Sequence, residues 1–515
     1  MSNIIHLEKE LENYFGYSTF RVGQKEIIED VLKGKDVLGV LPTGTGKSVC
    51  YQLPARLLEG ITIVVSPLIS LMMDQVKELK ANHFKDVIAI NSFLDFHSRK
   101  KLYRSLSNYK IIYLSPEILQ QKELQNYLSR LHIALFVIDE AHCISQWGHE
   151  FRPDYQKLYP IIEMLGNPNV LALSATATNE VQNDIKRSLN LPNMVKHIYP
   201  IDRNNIMLSV QEVMDNEEKL AIISCILSKN KVPSLIYFSS KSSAESFTQQ
   251  LYKKLPNHRI AYYHGGMDPI DRISIQQQFM NDQIDVICCT SAFGMGINKN
   301  NIRFVFHYHF PGQIESFIQE IGRAGRDGEQ SVSILLYSKQ DEFLPKQLIQ
   351  SELPSDSDLT RVFQIVSRYA KQQQVIPADM VEVEALFEIS ETQWRFISSH
   401  LEKNSVLTEN SLKYDQGKLT ETFHLIREIR DERMKLKQHK LQDMISWIHS
   451  TECLRKELYT KFQHGYTVLT QQCCSNCGID LTDFKPKQTV NASILPNWEM
   501  KLKHLFGLGD THETE

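Results

Sequence analysis

Two short segments of this chain carry residue types that handle phosphate and magnesium. The first reads Leu41-Pro42-Thr43-Gly44-Thr45-Gly46-Lys47-Ser48, a Gly-rich turn ending in Gly-Lys-Ser. Backbone N–H groups of such a turn wrap phosphate oxygens, a lysine at position 47 reaches the β and γ oxygens, and the Ser48 hydroxyl ligates Mg2+. The strict pattern asks for Gly five positions before Gly46, where this chain has Leu41. The second segment is the apolar run 134–138, which ends in Asp139 and Glu140. A buried strand there delivers both carboxylates to its C-terminal edge, where open parallel sheets bind ligands. Adjacent carboxylates at the end of a buried strand are rarely placed for stability alone. Asp139 is the expected metal holder, and Glu140 the group that orients or deprotonates an attacking water.

A third segment, 319–328, places Arg323 and Arg326 three apart among small residues. Facing a nucleotide on another domain, either arginine neutralises charge developing in phosphoryl transfer. The Gly-rich turn 289–297 and the hydroxyl-rich stretch Ser174-Ala175-Thr176-Ala177-Thr178 also follow apolar strands. The second of these can relay nucleotide state between domains.

Positioning these residues takes strands and crossover helices. Over the first 200 residues, short apolar strands at 36–41, 62–66, 87–90, 111–114, 135–139 and 170–173 alternate with amphipathic helices, the pattern of a parallel sheet covered on both faces. Residues 201–341 repeat the style, with strands at 234–238, 260–263, 286–290, 304–307 and 333–337. The fold class expected is α/β, two tandem parallel-sheet domains (1–200 and 201–341), then a mostly helical C-terminal region with a zinc-binding module. A polar break at 351–358 separates them. Helices at 359–373 and 377–404, then a hairpin-like stretch at 406–419, suggest a winged-helix insert over 351–425, with Ser390 capping its candidate recognition helix and Trp394 and Arg395 on it. A helical zinc module over 426–482 and a tail over 483–515 complete the division.

With 515 residues the chain is too long for one core. It is 42% hydrophobic and 23% charged, ordinary for a globular protein, and its net charge of −4 gives no bulk signal for nucleic acid. The sequence offers no membrane-length apolar run and no basic-then-apolar leader, so a cytoplasmic location is expected. Of nine cysteines, Cys453, Cys473, Cys474 and Cys477 cluster, which suits one metal site better than disulfides.

The assembled motifs resemble the RecQ family of superfamily 2 DNA helicases over roughly residues 14–341. The likeness runs in order through Phe15-Gly16-Tyr17, Phe20-Arg21-Val22-Gly23-Gln24, the 42–52 turn, 65–75, Asp139-Glu140-Ala141-His142, 174–178, His264-Gly265-Gly266-Met267, 292–297 and 319–328. Most specific is the stretch 142–155, which resembles the family's aromatic-rich loop; its Trp147, Phe151 and Tyr155, interleaved with Arg152, offer stacking and phosphate contacts to DNA. The resemblance implies RecA-like folds for the two sheet domains and a 3′→5′ ATP-dependent DNA helicase of recombination and repair, using ATP and Mg2+ and acting on single-stranded and branched DNA; no membrane partner is expected, and, with no heptad run to suggest a dimerising coil, a monomer. It assigns adenine reading to Gln24, with Tyr17 and Arg21 sandwiching the ring. It also implies a four-ligand Zn2+ site on Cys453, Cys474, Cys477 and a fourth position where this chain carries Asp480. Asp480 can ligate through oxygen, the choice favoured because adjacent cysteines rarely share one tetrahedral ion; Cys473 is the other fourth ligand. The 342–452 stretch is longer than the family leads one to expect, and no winged helix fits in 483–515. Two rivals remain: a translocase that strips proteins from DNA without unwinding it, and a DNA-binding scaffold with a decayed motor.

Overall fold

The computed structural model describes residues 6–67, 69–91, 96–145, 152–294, 299–408, 410–462, 473–479 and 484–486. Seven strands form the first sheet: β1 (Val37–Val40), β2 (Ile61–Val65), β3 (Val87–Ile90), β4 (Ile111–Leu114), β5 (Ile133–Ile138), β6 (Asn169–Ser174) and β7 (Val195–Ile198). All are parallel, in the order β3-β4-β2-β5-β6-β1-β7. The side chains of β1, β2 and β4 are buried throughout, as expected of strands covered on both faces. That order makes β5, β6 and β1 neighbours. The loops leaving their C-terminal ends, which hold Asp139–Glu140, Ser174–Thr178 and the Gly-rich turn, therefore meet at one edge of the sheet.

The second sheet is also wholly parallel. Its strands are β8 (Ile206–Glu212), β9 (Ser234–Tyr237), β10 (Ile260–Tyr263), β11 (Val286–Cys289), β12 (Phe304–His307) and β13 (Ser331–Tyr337), in the order β10-β11-β9-β12-β13-β8. Two strands escape a reading by apolar runs. β7 alternates half-buried and exposed residues, and β8 follows the connection between the sheets without a turn signal.

Seven helices matter for the sites. α1 (Val49–Leu57) leaves the Gly-rich turn, and α2 (Ile314–Ile321) leads into the arginine segment. Beyond the second sheet come α3 (Asp356–Lys371), α4 (Met380–Phe387) and α5 (Glu391–Lys403), then a two-stranded antiparallel hairpin of β14 (Leu407–Thr408) and β15 (Ser411–Leu412). α5 starts at Ser390 with a reciprocal Ser390–Gln393 capping box, and α4 and α5 break the expected single helix because Glu388 takes left-handed backbone. These elements bury their own core, including Leu359, Val366, Phe387, Trp394 and Ile397.

The 33-residue α6 (Gln416–Ile448) joins that unit to the motor: Leu419 and Ile426 enter the insert's core, while Leu441, Met444, Trp447 and Ile448 enter the core of the sheets. Its Lys440 pairs with Glu315 of α2 at 3.0 Å, and the Trp447 ring tilts against Phe317 at 4.7 Å. α7 (Leu454–Tyr459) follows. Among the described residues no helix is long and apolar enough to cross a membrane.

Candidate nucleotide site and neighbouring centres

The turn after β1 takes the conformation its glycines allow. Gly44 and Gly46 lie at φ +83° and +74°, which bends the backbone around a concave face. Leu41 answers for the missing glycine: it is fully buried behind the turn, and a Cβ on Gly23 (φ +84°) would fall 2.5 Å from its Cδ2 and from the Tyr199 ring. Here a core leucine and a distant glycine replace the loop glycine of the strict motif.

Above the turn lies a cavity of about 540 Å³, lined from the first sheet by Thr43, Gly44, Gly46, Lys47, Ser48, Asp139 and Glu140. Tyr17, Arg21 and Gln24 line the same cavity, and from the second sheet so do Arg323 and Arg326. All the residues expected at the nucleotide thus share one cavity, save Thr45, whose hydroxyl donates to the Pro42 carbonyl at 2.8 Å.

Gln24 is buried. Its amide donates to the Thr45 and Gly46 carbonyls at 2.8 and 3.0 Å, and its oxygen accepts from the Arg21 N–H at 2.9 Å. Arg21 also donates to the Gly44 carbonyl, and Tyr17 stands 53% exposed at the rim. The end of the cavity where a base would sit is therefore wired to the phosphate turn.

Burial and the neighbouring Glu140 carboxylate push Asp139 up to about 7, against the pull of Lys47. Glu140 takes left-handed backbone (φ 49°, ψ 49°), which for a non-glycine stores about 1–3 kcal/mol and is commonest at functional sites. One of its oxygens lies 3.9 Å from Lys47 Nζ; the other, 3.4 Å from His142 Nδ1, has no hydrogen-bond partner. Burial holds His142 neutral by lowering it to about 3. Ser174 Oγ lies 3.0 Å from His142 Nδ1 and donates to the Thr176 carbonyl at 2.9 Å, so His142 is hydrogen-bonded into the 174–178 stretch.

Across the cleft, burial and two neighbouring arginines, Arg323 and Arg203, bring Arg326 down to about 9. Arg323 and Arg326 line the cavity together, and two guanidinium groups held this close favour an anion between them. Arg323 is buried, its Nε has no partner, and a Cβ on Gly294 would fall 2.5 Å from its guanidinium. Unsatisfied Glu140 and Arg323 atoms on opposite walls fit a magnesium–polyphosphate group between them.

The second centre is the thiol cluster. Cys453, Cys473, Cys474 and Cys477 bring their sulfurs within 4.8 Å of one another. Zinc–thiolate bonds of 2.3 Å at tetrahedral angles ask for sulfurs about 3.8 Å apart, so this donor set fits Zn2+. Both adjacent cysteines take part, against the expectation that neighbours cannot share an ion; Asp480 lies outside the described residues. The knuckle also lines the open edge of the second sheet: Leu208 N–H donates to the Cys473 carbonyl at 3.2 Å and Val210 N–H to Ser475 Oγ at 3.3 Å.

Two expected DNA contacts are corrected. Tyr155 is 1% exposed, packed in the core, and its hydroxyl donates to the Asp139 carbonyl at 3.1 Å; it supports the catalytic turn and offers no face to a base. Trp394 is 6% exposed and stacks on Phe387 at 4.5 Å, so the helix meant to read DNA turns its aromatic inward. Arg395 beside it is ion-paired to Glu391 at 2.6 Å. Arg152 stays partly exposed, 3.5 Å from Glu117, while Trp147 and Phe151 lie outside the described residues. Contacts missed by sequence reasoning join the insert to the first sheet domain, Lys157 with Glu402 at 3.0 Å and Lys403 with Gln156.

Comparison with known proteins agrees with this geometry. Residues 21–185 match the DEAD/DEAH box helicase family and residues 218–328 the helicase conserved C-terminal domain. The chain is 40% identical over 505 residues, 98% of each protein, to the probable ATP-dependent DNA helicase RecS of Bacillus subtilis. It is 39% identical over 367 residues to the ATP-dependent DNA helicase RecQ of Haemophilus influenzae, a match covering 70% of this chain and 58% of that protein. Among solved structures it resembles the Mycobacterium smegmatis helicase Lhr bound to ssDNA and AMP-PNP, with TM-score 0.56 and 18% identity over 81% of this chain and 61% of that one. The helicase MrfA bound to DNA and AMPPNP gives TM-score 0.55 at 19% identity, covering 81% and 62%. At such identities the two structures speak for the fold alone. The near full-length match and the two helicase domains place the chain in the RecQ/RecS family of ATP-dependent DNA helicases.

Proposed function

We propose that the chain uses ATP hydrolysis in the cleft between its two sheets to move 3′→5′ along single-stranded DNA and open duplexes during recombination and repair. The observation that carries this reading is the one cavity shared by Lys47, Asp139 and Glu140 from one domain and Arg323 and Arg326 from the other. Lys47 and the N–H groups of the turn bind the β and γ phosphates. Ser48 and Asp139 hold Mg2+, which supplies Lewis-acid neutralisation of the phosphate oxygens. Glu140, 3.9 Å from Lys47 Nζ, orients the attacking water and accepts its proton. Arg323 and Arg326 meet the charge that develops on the leaving phosphates, and only when the two domains are closed. Gln24, Tyr17 and Arg21 hold the base.

Cys453, Cys473, Cys474 and Cys477 would hold Zn2+, which would fix the knuckle that borders β8 to the start of α7. Nine free cysteines, seven of them away from full exposure, support a reducing cytoplasmic setting. The unit from α3 to β15 has the helix and hairpin order of a winged helix. Its inward Trp394 and its ion pairs to the motor support a brace for the 152–157 segment rather than a reader of bases.

The test is hydrolysis and strand displacement side by side, on duplexes with a 3′ or a 5′ single-stranded tail. DNA-stimulated hydrolysis with displacement from the 3′ tail alone is expected. Hydrolysis without displacement would instead favour a protein-stripping translocase, and loss of neither activity in Lys47→Ala would sink the site assignment.

A further inference from the structure

The connection between the two sheets carries an arginine that does not line the cavity yet bonds the backbone of both of its walls. Arg203 Nη1 donates to the Thr43 carbonyl at 3.2 Å and the Gly322 carbonyl at 3.4 Å. Its Nη2 donates to the Ala324 carbonyl at 3.3 Å, to the Gly325 carbonyl, and to Asn205 Oδ1 at 3.3 Å. Thr43 precedes the phosphate-binding glycines; Gly322, Ala324 and Gly325 bracket Arg323 and lead into Arg326. One planar fork therefore joins the phosphate turn of one domain to the arginine segment of the other. Two further contacts sharpen the junction. Thr43 Oγ1 donates to the Gly322 carbonyl at 3.0 Å, and a Cβ on Gly322 would fall 2.0 Å from that hydroxyl, so the segments approach as closely as glycine permits. Asn205 Nδ2 donates at 2.8 Å to the carbonyls of Gly325 and Glu329.

The fork is itself held from behind. Arg455, on α7 just past Cys453, is 1% exposed and pairs with Asp202, which is 2% exposed. Arg455 also donates to the Arg203 carbonyl at 3.2 Å and to the Ile206 carbonyl. Tyr459, buried on the same helix, hydrogen-bonds the Arg203 backbone. A charge buried this completely is retained where its bonds are many and fixed, and a lysine cannot reproduce them, because an ammonium has no planar fork.

We propose that Arg203 is a positioning residue for ATP hydrolysis: it sets the register between the phosphate turn and the arginine segment, and α7 of the zinc module holds it in place. This rests on the hydrolytic reading of the cleft. Arg203 does not itself line the nucleotide cavity and meets its walls only through backbone carbonyls, so removing it leaves ground-state binding to the first domain intact. What is lost is the alignment of Arg323 and Arg326 with the transition state, and an interaction made only there appears in kcat.

The experiment measures steady-state ATP hydrolysis with saturating single-stranded DNA, together with the affinities for ADP and for ADP–aluminium fluoride, in wild type, Arg203→Ala and Arg203→Lys. For Arg203→Ala a fall in kcat of about 10- to 100-fold is expected, with KM for ATP and ADP affinity within about threefold of wild type. The affinity for ADP–aluminium fluoride should fall by the same factor as kcat. Arg203→Lys, which keeps the charge, should sit between the two, and it carries the test if Arg203→Ala melts early. Arg455→Lys should lower kcat in the wild-type background and add nothing in Arg203→Lys, because it acts through the same fork. Wild-type kcat in both Arg203 variants overturns the proposal, as does a parallel loss of ADP and ADP–aluminium fluoride affinity. A wild-type protein that hydrolyses no ATP would instead sink the reading of the cleft itself.

Discussion

Asp139 makes the metal step of this helicase visible as a proton. Its carboxyl lines the cavity, faces Glu140, and is raised by desolvation from 3.8 to about 7. To ligate a magnesium–nucleotide complex the carboxyl must ionise, so binding expels whatever proton it holds. At about pH 6, one unit below that value, roughly nine in ten molecules carry the proton, and binding should release ~0.9 proton per site. At about pH 8.5 the release should fall below ~0.1. The same unit corresponds to ~1.4 kcal/mol, so magnesium-dependent nucleotide affinity should be about tenfold weaker at pH 6 than at alkaline pH. The assay is isothermal titration of Mg2+–ADP into the protein at each pH, in two buffers of different ionisation enthalpy, with Asp139→Asn beside it. Asp139→Asn should show no excess release at pH 6. Equal release from wild type and Asp139→Asn would refute the assignment of that proton. The sign for stability follows from the same shift. The folded value lies above the unfolded one, so the nucleotide-free fold loses stability as pH climbs from about 4 to about 7, and magnesium nucleotide restores it.

Three further outcomes test the corrected contacts. Tyr155→Phe should lower stability by about 1 kcal/mol, read by urea melts, and leave DNA affinity unchanged, because only the bond to the Asp139 carbonyl goes. Trp394→Ala should destabilise the insert by about 3–5 kcal/mol without changing the salt dependence of DNA binding, since the ring is packed on Phe387; a lost salt slope with intact folding would return the residue to the DNA surface. Cys473→Ser should lower bound zinc, measured after denaturation with a colorimetric chelator, while Asp480→Ala keeps one ion per chain; the reverse pattern would restore Asp480 as ligand.

The nucleotide site was legible because its parts are local. A glycine turn, a carboxylate pair and an arginine segment each follow a buried strand, and a parallel sheet must bring such strand ends to one edge. The strands of the first sheet fell near their expected places for the same reason. Only β7 and β8 were missed, since neither shows the unbroken apolar run of a strand buried on both faces. Leu41 shows how a motif can lose a residue and keep its shape, since the glycine it needs sits at position 23, far along the chain.

Aromatic residues misled where burial decides function. Tyr155 and Trp394 have the chemistry of DNA contacts, and composition alone cannot tell a stacking surface from a packed core. The folded chain settles it by what surrounds them: Tyr155 fills space behind the turn bearing Asp139, and Trp394 closes the insert against Phe387. The same limit hid the contacts that bind the modules together. Arg203 stands in a connection with no periodicity, and its partners lie 119 to 160 residues away; Arg455 meets Asp202 across 253 residues. No spacing rule joins positions so far apart. Their types still held a signal: Asp202-Arg203 is a charged pair just ahead of β8, and burying such a pair is unfavourable unless other groups complete its bonds. α6 makes the same point at larger scale. The expected boundary between the insert (351–425) and the zinc module (426–482) falls inside this one 33-residue helix, because its two ends bury their faces against different cores. The charged middle is where Lys437 and Arg433 meet Glu352 and Arg430 meets Asp356, so the helix fixes the distance between insert and motor by ion pairs as well as by packing. Through Lys157 and Glu402 the same insert is tied to the segment that follows the 142–155 stretch.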